Sequence, residues 1–205
     1  ERNPDGWRAT RAYIHQQVEE LMTHYGTIDY VFFDGIWPRT AEELQAEALV
    51  ARMRECQPDI LINNRLGDKD SGDVGTPEHH ITAEERLWES CQVTTWRLWG
   101  YTRGERWRPA DTWLDMLCEA TSKGGNLLLN VGPQPDGRFP PAFVERAQAI
   151  GRWLDVHGEA IYGTDGGDVT EFITQGWQTT RDNILFLILR FWDGRPELRL
   201  ADLIT

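Results

Sequence analysis

The chain has 205 residues, 40% of them hydrophobic and 26% charged, with a formal net charge of −12. That is enough to bury a core, as one domain or a domain with an appendage, while the negative charge argues against nucleic acid or an anionic membrane surface as partner and favours a neutral substrate. Cys56, Cys91 and Cys118 are odd in number and lack C-x-x-C spacing, so they read as buried thiols rather than a disulfide framework or a metal site.

After a turn at Asn3-Pro4-Asp5-Gly6, apolar residues at Ile14, Val18, Leu21, Met22 and Tyr25 predict an amphipathic helix capped by Gly26. The stretch Ile28-Asp-Tyr-Val-Phe-Phe-Asp34-Gly35 predicts a first strand over 28–33. It is apolar on both faces, as in a central parallel strand covered on each side, and it ends in a carboxylate and a glycine. Thr40-Ala-Glu-Glu43 is a capping box. It opens one helix with Ala46, Leu49, Val50 and Met53 on its apolar face. A second strand over 60–62 runs into Asn63-Asn64-Arg65.

A loop rich in Gly and Asp, from Gly67 to Thr76, leads to Pro77-Glu78-His79-His80. Asp68-Lys-Asp70-Ser-Gly-Asp73 looks like a calcium loop but lacks the required Gly and Glu, so a solvated loop is expected. A third strand over 87–93 and an aromatic loop, Trp96-Arg-Leu-Trp99-Gly-Tyr101, follow. A helix beginning near Pro109 ends at Lys123-Gly124-Gly125. The fourth strand covers 127–131, Pro133-Gln-Pro-Asp-Gly137 is a turn, and a last helix covers 141–157. Trp113 and Trp153 lie on helical stripes and read as core.

Helix and strand alternate, which predicts an α/β fold of parallel strands joined by crossover helices. Four strands are half of the eight in a (β/α)8 barrel. Beyond 163 the pattern changes to short antiparallel strands at 169–173, 178–180, 184–189 and 198–203, so the expected division is 1–163 and 164–205. No signal peptide or membrane-spanning run is visible, and no compartment is indicated.

Asp34, Arg65, Glu78 and Trp99 follow strands, where parallel α/β folds carry their chemistry. Two carboxylates with an arginine and aromatic rings suit glycoside hydrolysis, one acid attacking the sugar or activating water and the other protonating the leaving oxygen. Arg65 is the expected charge partner of Asp34. The plainer alternative makes Asp34 a loop cap. Glu89 is the fallback acid or a supporting residue. His79 and His80 flank Glu78 and either touch substrate or are solvated, while Trp96 and Trp107 are further candidates for sugar contact.

Ile28–Gly35, Asn63-Asn-Arg65, Gly75-Thr-Pro-Glu78, Trp88-Glu-Ser-Cys, Trp99-Gly-Tyr101 and Ser122-Lys-Gly-Gly-Asn-Leu-Leu-Leu-Asn-Val-Gly-Pro133 occur in this order. Together they closely resemble the α-L-fucosidases of glycoside hydrolase family 29. The resemblance implies a partial (β/α)8-type, TIM-like barrel, second half only, followed by the start of an antiparallel β domain. It implies a retaining exo-hydrolase of terminal α-L-fucose, in the branch selective for α-1,3 and α-1,4 linkages, without metal or cofactor. Asp34 matches the family's nucleophile, Glu78 its acid/base, Arg65 its sugar-contacting arginine and Trp99 its pocket aromatic. The family's first half-barrel is absent, so the chain is expected to be a fragment, or to be completed by a partner chain or self-association. A non-catalytic carbohydrate-binding or assembly half-barrel, and an inverting hydrolase, are the rival readings.

Overall fold

The structure, a computed structural model, describes residues 4–67, 72–166, 176–192 and 194. The expected strands at 169–173 and 198–203, and residues 68–71 of the calcium-like loop, lie outside the described residues. The chain forms two compact units, Glu1–Thr76 and Pro77–Thr205.

In the first unit α1 (Pro4–His24) begins where a turn was expected. Pro4 occupies the first helical position, where its missing N–H costs nothing. Val18 and Met22 are buried, but Leu21 and Tyr25 are exposed. The buried line is therefore Ile14–Val18–Met22, one residue per turn. Gly26 closes the turn at φ +84°, and the Gln57 side chain ties it down. Its Nε2 donates to the carbonyls of Met22 and Gly26, and its Oε1 accepts the Ile28 N–H at 2.7 Å.

β1 (Tyr30–Val31) pairs in parallel with β2 (Leu61–Ile62), Tyr30 opposite Leu61. Both strands are shorter than the sequence suggests. The expectation of cover on both faces is also corrected. Val31 and Phe33 pack against the core, whereas Phe32, pointing the other way, is 36% exposed. Alternation along a strand sends successive side chains to opposite faces, and this unit packs α1 and α3 on one of them.

The capping box forms as expected, Thr40 Oγ1 accepting from Glu43 N and Glu43 Oε2 from Thr40 N. The helix it opens is not continuous. α2 (Ala41–Leu44) stops at Gln45, which is left-handed at φ +57°, and α3 (Ala46–Cys56) starts anew. The carbonyls freed by this break are taken by α1: Trp7 Nε1 and Arg11 Nη1 donate to Glu43 O, and His15 Nε2 to Leu44 O. Leu44, Leu49, Met53, Ile60, Ile62 and Leu66 form the centre of the core with Val18 and Met22. A two-residue strand unseen in the sequence, β3 (Val74–Gly75), closes the unit, with Val74 bridged in parallel to Asn63.

The second unit is built on a βαβ element. β4 (Leu87–Val93) and β5 (Asn126–Asn130) run parallel, Glu89 opposite Asn126 and Val93 opposite Asn130, with α4 (Ala110–Ser122) as the crossover. Trp113 is fully buried and donates through Nε1 to Thr94 O at 3.2 Å. Trp88 is 1% exposed, and a Cβ on Gly125 would overlap its ring. α5 (Pro141–His157) follows and passes into a 3₁₀ turn at Gly158–Ala160. Trp153, expected in the core, is only half-buried. It lines a cleft of about 550 Å³ with Trp177, Cys118 and Arg190.

β6 (Asp165–Gly166), β7 (Gly176–Arg181) and β8 (Ile184–Leu189) form an antiparallel meander. The β7–β8 hairpin turns on Asp182-Asn183, with Arg181 still paired to Ile184 and Asp182 at φ +53°. Asp tolerates that conformation, and a left-handed turn matches the twist of the flanking strands. Among the described residues no helix is long and apolar enough to cross a membrane.

Candidate active site

Asp34 lies just beyond β1 and Arg65 just beyond β2, so the parallel pairing of those strands delivers both to one end of the unit. Arg65 Nη1 donates to Asp34 Oδ1 at 2.9 Å, the partnership expected from sequence. The guanidinium side chain is 14% exposed and the carboxylate 56%. A pair this open contributes about 0.2–1 kcal/mol to stability, so its importance lies in orientation.

The arginine is itself held. Nε donates to Thr76 Oγ1 at 2.8 Å and Nη2 to Thr76 O at 3.3 Å. Thr76 Oγ1 in turn donates to Asn64 Oδ1 at 2.7 Å, and the guanidinium lies 5.0 Å over the Phe32 ring. The half-exposed face of β1 is thereby used as a platform for a cation. Asn63, fully buried, turns its carboxamide onto Phe33. Nδ2 donates to Phe33 O at 2.9 Å, and Oδ1 accepts from Phe33 N at 2.8 Å. Asn63, Asn64 and Thr76 were not singled out by side-chain chemistry in the sequence. Their only signal was membership of the motifs that end in Arg65 and Glu78.

In the second unit Glu78 is bridged to Cys91 on β4 through its neighbours: Cys91 N donates to Pro77 O at 2.8 Å and His79 N to Cys91 O at 3.0 Å. Its side chain is 38% exposed. His79 adopts the left-handed region at φ +64°, which costs a non-glycine residue about 1–2 kcal/mol. That conformation brings its Nε2 to 3.6 Å from Glu78 Oε1 and its ring to 5.0 Å from that of Trp99. His80, which is exposed, turns back onto the main chain instead, Nδ1 donating to Glu78 O at 2.8 Å. The segment is anchored below by Ser90 Oγ, which donates to His80 O, and by Lys123 Nζ, which donates to Ile81 O.

Trp99 follows β4, and Asn130, at the end of β5, donates through Nδ2 to its carbonyl at 2.7 Å. Thr95 holds the same loop, accepting from Leu98 N and donating to Leu98 O. Gly132 lies so close that a Cβ would overlap Tyr101 N and Gly100 C. The small residues of the Ser122–Pro133 run thus have separate purposes, Gly125 admitting the Trp88 ring and Gly132 the aromatic loop. Trp96 is exposed with the Arg108 guanidinium 5.1 Å over its ring, and Trp107 packs edge-on to Trp113. Burial pushes the Arg108 pKa down. Glu89 lies within β4, opposite Asn126, rather than on a loop. Among the described residues no group of three or more His, Cys, Asp or Glu is arranged to hold a metal ion.

Each unit thus carries parallel strands with polar or aromatic side chains at or beyond their ends, Asp34 and Arg65 in the first and Trp99 and Asn130 in the second. The chain belongs to the alpha-L-fucosidase family, whose model matches residues 3–159. It is 31% identical to the tissue alpha-L-fucosidase of Bos taurus over 92% of its own length and 42% of that protein's. It is 42% identical to the plasma alpha-L-fucosidase of Rattus norvegicus over 69% of its length and 30% of that protein's. It superposes on alpha-L-fucosidase isoenzyme 1 from Paenibacillus thiaminolyticus with a TM-score of 0.79 and 34% identity, over 87% of this chain and 46% of that one. The chain therefore spans less than half the length of the relatives it matches.

Proposed function

We propose that this chain supplies the two reacting carboxylates of a retaining exo-α-L-fucosidase acting on fucosylated glycans, with α-1,3 and α-1,4 linkages as the preferred targets. Asp34 attacks the anomeric carbon while the bond to the departing oxygen breaks and Glu78 gives that oxygen a proton. Glu78 then takes a proton from water as its oxygen attacks the same carbon and releases Asp34. Arg65 positions the nucleophile and contacts the sugar, and Trp99 with His79 supplies an aromatic wall for its apolar face. His80, turned onto its own main chain, borders the acid/base segment.

The observation that carries this reading is the Asp34–Arg65 pair at paired strand ends, in a chain of this family. We read residues 1–163 as the second half of the catalytic barrel and 164–205 as the start of a β domain. The family match ends at 159, shortly before the antiparallel meander begins, which supports that boundary. The missing barrel half is supplied by further polypeptide, a partner chain or a second copy.

Asp34→Gly in the assembled enzyme tests the assignment. Turnover is expected to vanish and to return in part with azide, which fills the vacated space and forms a fucosyl azide of inverted configuration. Undiminished activity would make Asp34 a loop cap and favour a non-catalytic carbohydrate-binding or assembly role. Proton NMR of the first product formed by the unmodified enzyme separates retention, which releases α-fucose, from inversion.

A further inference from the structure

We propose that Asn63 is a positioning residue for Asp34, acting through the main chain of Phe33; the inference rests on the reading of Asp34 as nucleophile. The strands explain why a side chain is needed there. The ladder between β1 and β2 runs through Leu61 N to Asp29 O and Asn63 N to Val31 O. The next rung would join residue 65 to Phe33. It does not form, because the chain turns toward β3, Asn64 N donating to Val74 O at 3.0 Å. The main chain before Asp34 would then be left without its partner at the point where geometry matters most.

The Asn63 carboxamide replaces that rung. It presents one donor and one acceptor with the spacing of a peptide group, and it bonds both polar atoms of Phe33, at 2.9 and 2.8 Å. Phe33 O belongs to the rigid peptide plane that also contains the Cα of Asp34. Holding that oxygen therefore fixes where the Asp34 side chain departs. Arg65, two residues along, holds the other end of Asp34 at Oδ1.

Asn63 is itself immobilised. It is fully buried and bridged to Val74. Gly72, at φ +85°, leaves no room for a Cβ against the Asn63 carbonyl. A fully buried amide with both ends bonded to one residue's main chain is costly to disturb, since a lost partner strands a buried polar group.

Asn63→Asp is the discriminating variant. It keeps the shape and the acceptor for Phe33 N but loses the donor to Phe33 O whenever the new carboxyl is ionised. Protonated, that carboxyl donates to Phe33 O and restores the pair. Burial favours this neutral form, with Asp34 and Arg65 beyond Phe33, and Asp73 paired with Arg54, as the surrounding charges. In the assembled enzyme kcat is expected to fall about 10²-fold at neutral pH, the cost of misplacing a reacting group by about 1 Å. KM should change much less, and kcat should recover relative to the unmodified enzyme as pH is lowered.

Asn63→Ala, made in this chain alone, is read by amide hydrogen exchange, where Phe33 N–H should lose protection at least tenfold more than Leu61 N–H. An Asn63→Asp enzyme with unchanged kcat, or one whose loss follows its unfolded fraction at every pH, would overturn the proposal. So would equal loss of protection at Phe33 and Leu61. An active Asp34→Gly enzyme would overturn the nucleophile reading and this inference together, whereas an inactive one beside an unaffected Asn63→Asp enzyme would overturn only the latter.

Discussion

Asp34 in the first unit and Glu78 in the second are held by different means. Asp34 is gripped at its side chain by an arginine that is bonded in turn to Thr76, with Asn64 completing the chain. Around Glu78 the backbone is fixed by the rungs that Pro77 and His79 make to Cys91, and the carboxylate lies 3.6 Å from the Nε2 of His79, a residue in the left-handed region. The difference suits the two roles proposed for these residues. A nucleophile must meet one carbon along one line, so its oxygens need rigid aim. A residue that first gives and then takes a proton must serve a leaving group and later a water, and a side chain with an anchored backbone allows small adjustments between the two steps.

Replacing Glu78, the proposed acid, is the strongest way to probe that contrast. Glu78→Gln in the assembled enzyme should slow cleavage of natural glycans by about 10²–10⁴-fold. An aryl fucoside, whose leaving group needs little help, should give a rapid burst of phenol and then stall as the fucosyl enzyme awaits a base. Glu89→Gln, in the β4 strand, should lower activity evenly across both substrates. Reversed behaviour of the two variants, followed by stopped-flow absorbance, would transfer the acid's role to Glu89.

A smaller effect is expected from the scaffold under Trp99. Gly132→Ala forces a Cβ into the main chain of Gly100 and Tyr101, an overpacking that costs about 1–3 kcal/mol. Thermal unfolding should shift down accordingly, and substrate affinity should fall with displacement of Trp99. Gly151, in the middle of α5 with nothing within 4 Å of a built Cβ, is the control. There Gly151→Ala should stabilise by about 0.5–1 kcal/mol. Equal effects at both glycines would mean that the aromatic loop is not held by Gly132.

The least disruptive probe compares thiols of the two units. Cys56 in the first is half-buried, whereas Cys118 in the second is 2% exposed, and its burial, with Asp115 nearby, pushes its pKa up to about 12. A maleimide at neutral pH should label Cys56 first and leave Cys118 untouched until the chain unfolds, as read by mass spectrometry of the peptides. The sign of the pH dependence follows from the raised value. Between the ordinary thiol value near 8.5 and about 12 the unfolded chain ionises at Cys118 and the folded chain does not. The stability associated with this group is therefore intact below about pH 8.5 and is lost progressively as pH climbs through that window. Early labelling of Cys118 at neutral pH would show that the second unit opens more readily than its packing implies.

Much of this organisation was legible in the order of residues, because it depends on neighbours along the chain. Helix stripes repeat every three to four residues, Thr40 and Glu43 reach each other's backbone within one turn, and Asp182-Asn183 joins adjacent strands. The pairing of Asp34 with Arg65 was legible for a related reason: consecutive parallel strands carry their following residues to the same end. Other features required groups distant in sequence to meet. The break at Gln45 depends on Trp7, Arg11 and His15 of α1, which take the carbonyls that a continuous helix would have kept. β3 has two residues, too few for any alternating pattern to show. Phe32 is exposed because the core packs against Val31 and Phe33 on the other face of β1, and Trp153 lines a cleft with Trp177 and Leu189, residues far from it in sequence. Asn63 shows the division most clearly. Its place beside Arg65 could be read in the sequence. Its use as a substitute rung could not, because that depends on where the chain abandons the ladder, a decision made by the turn of Asn64 toward Val74.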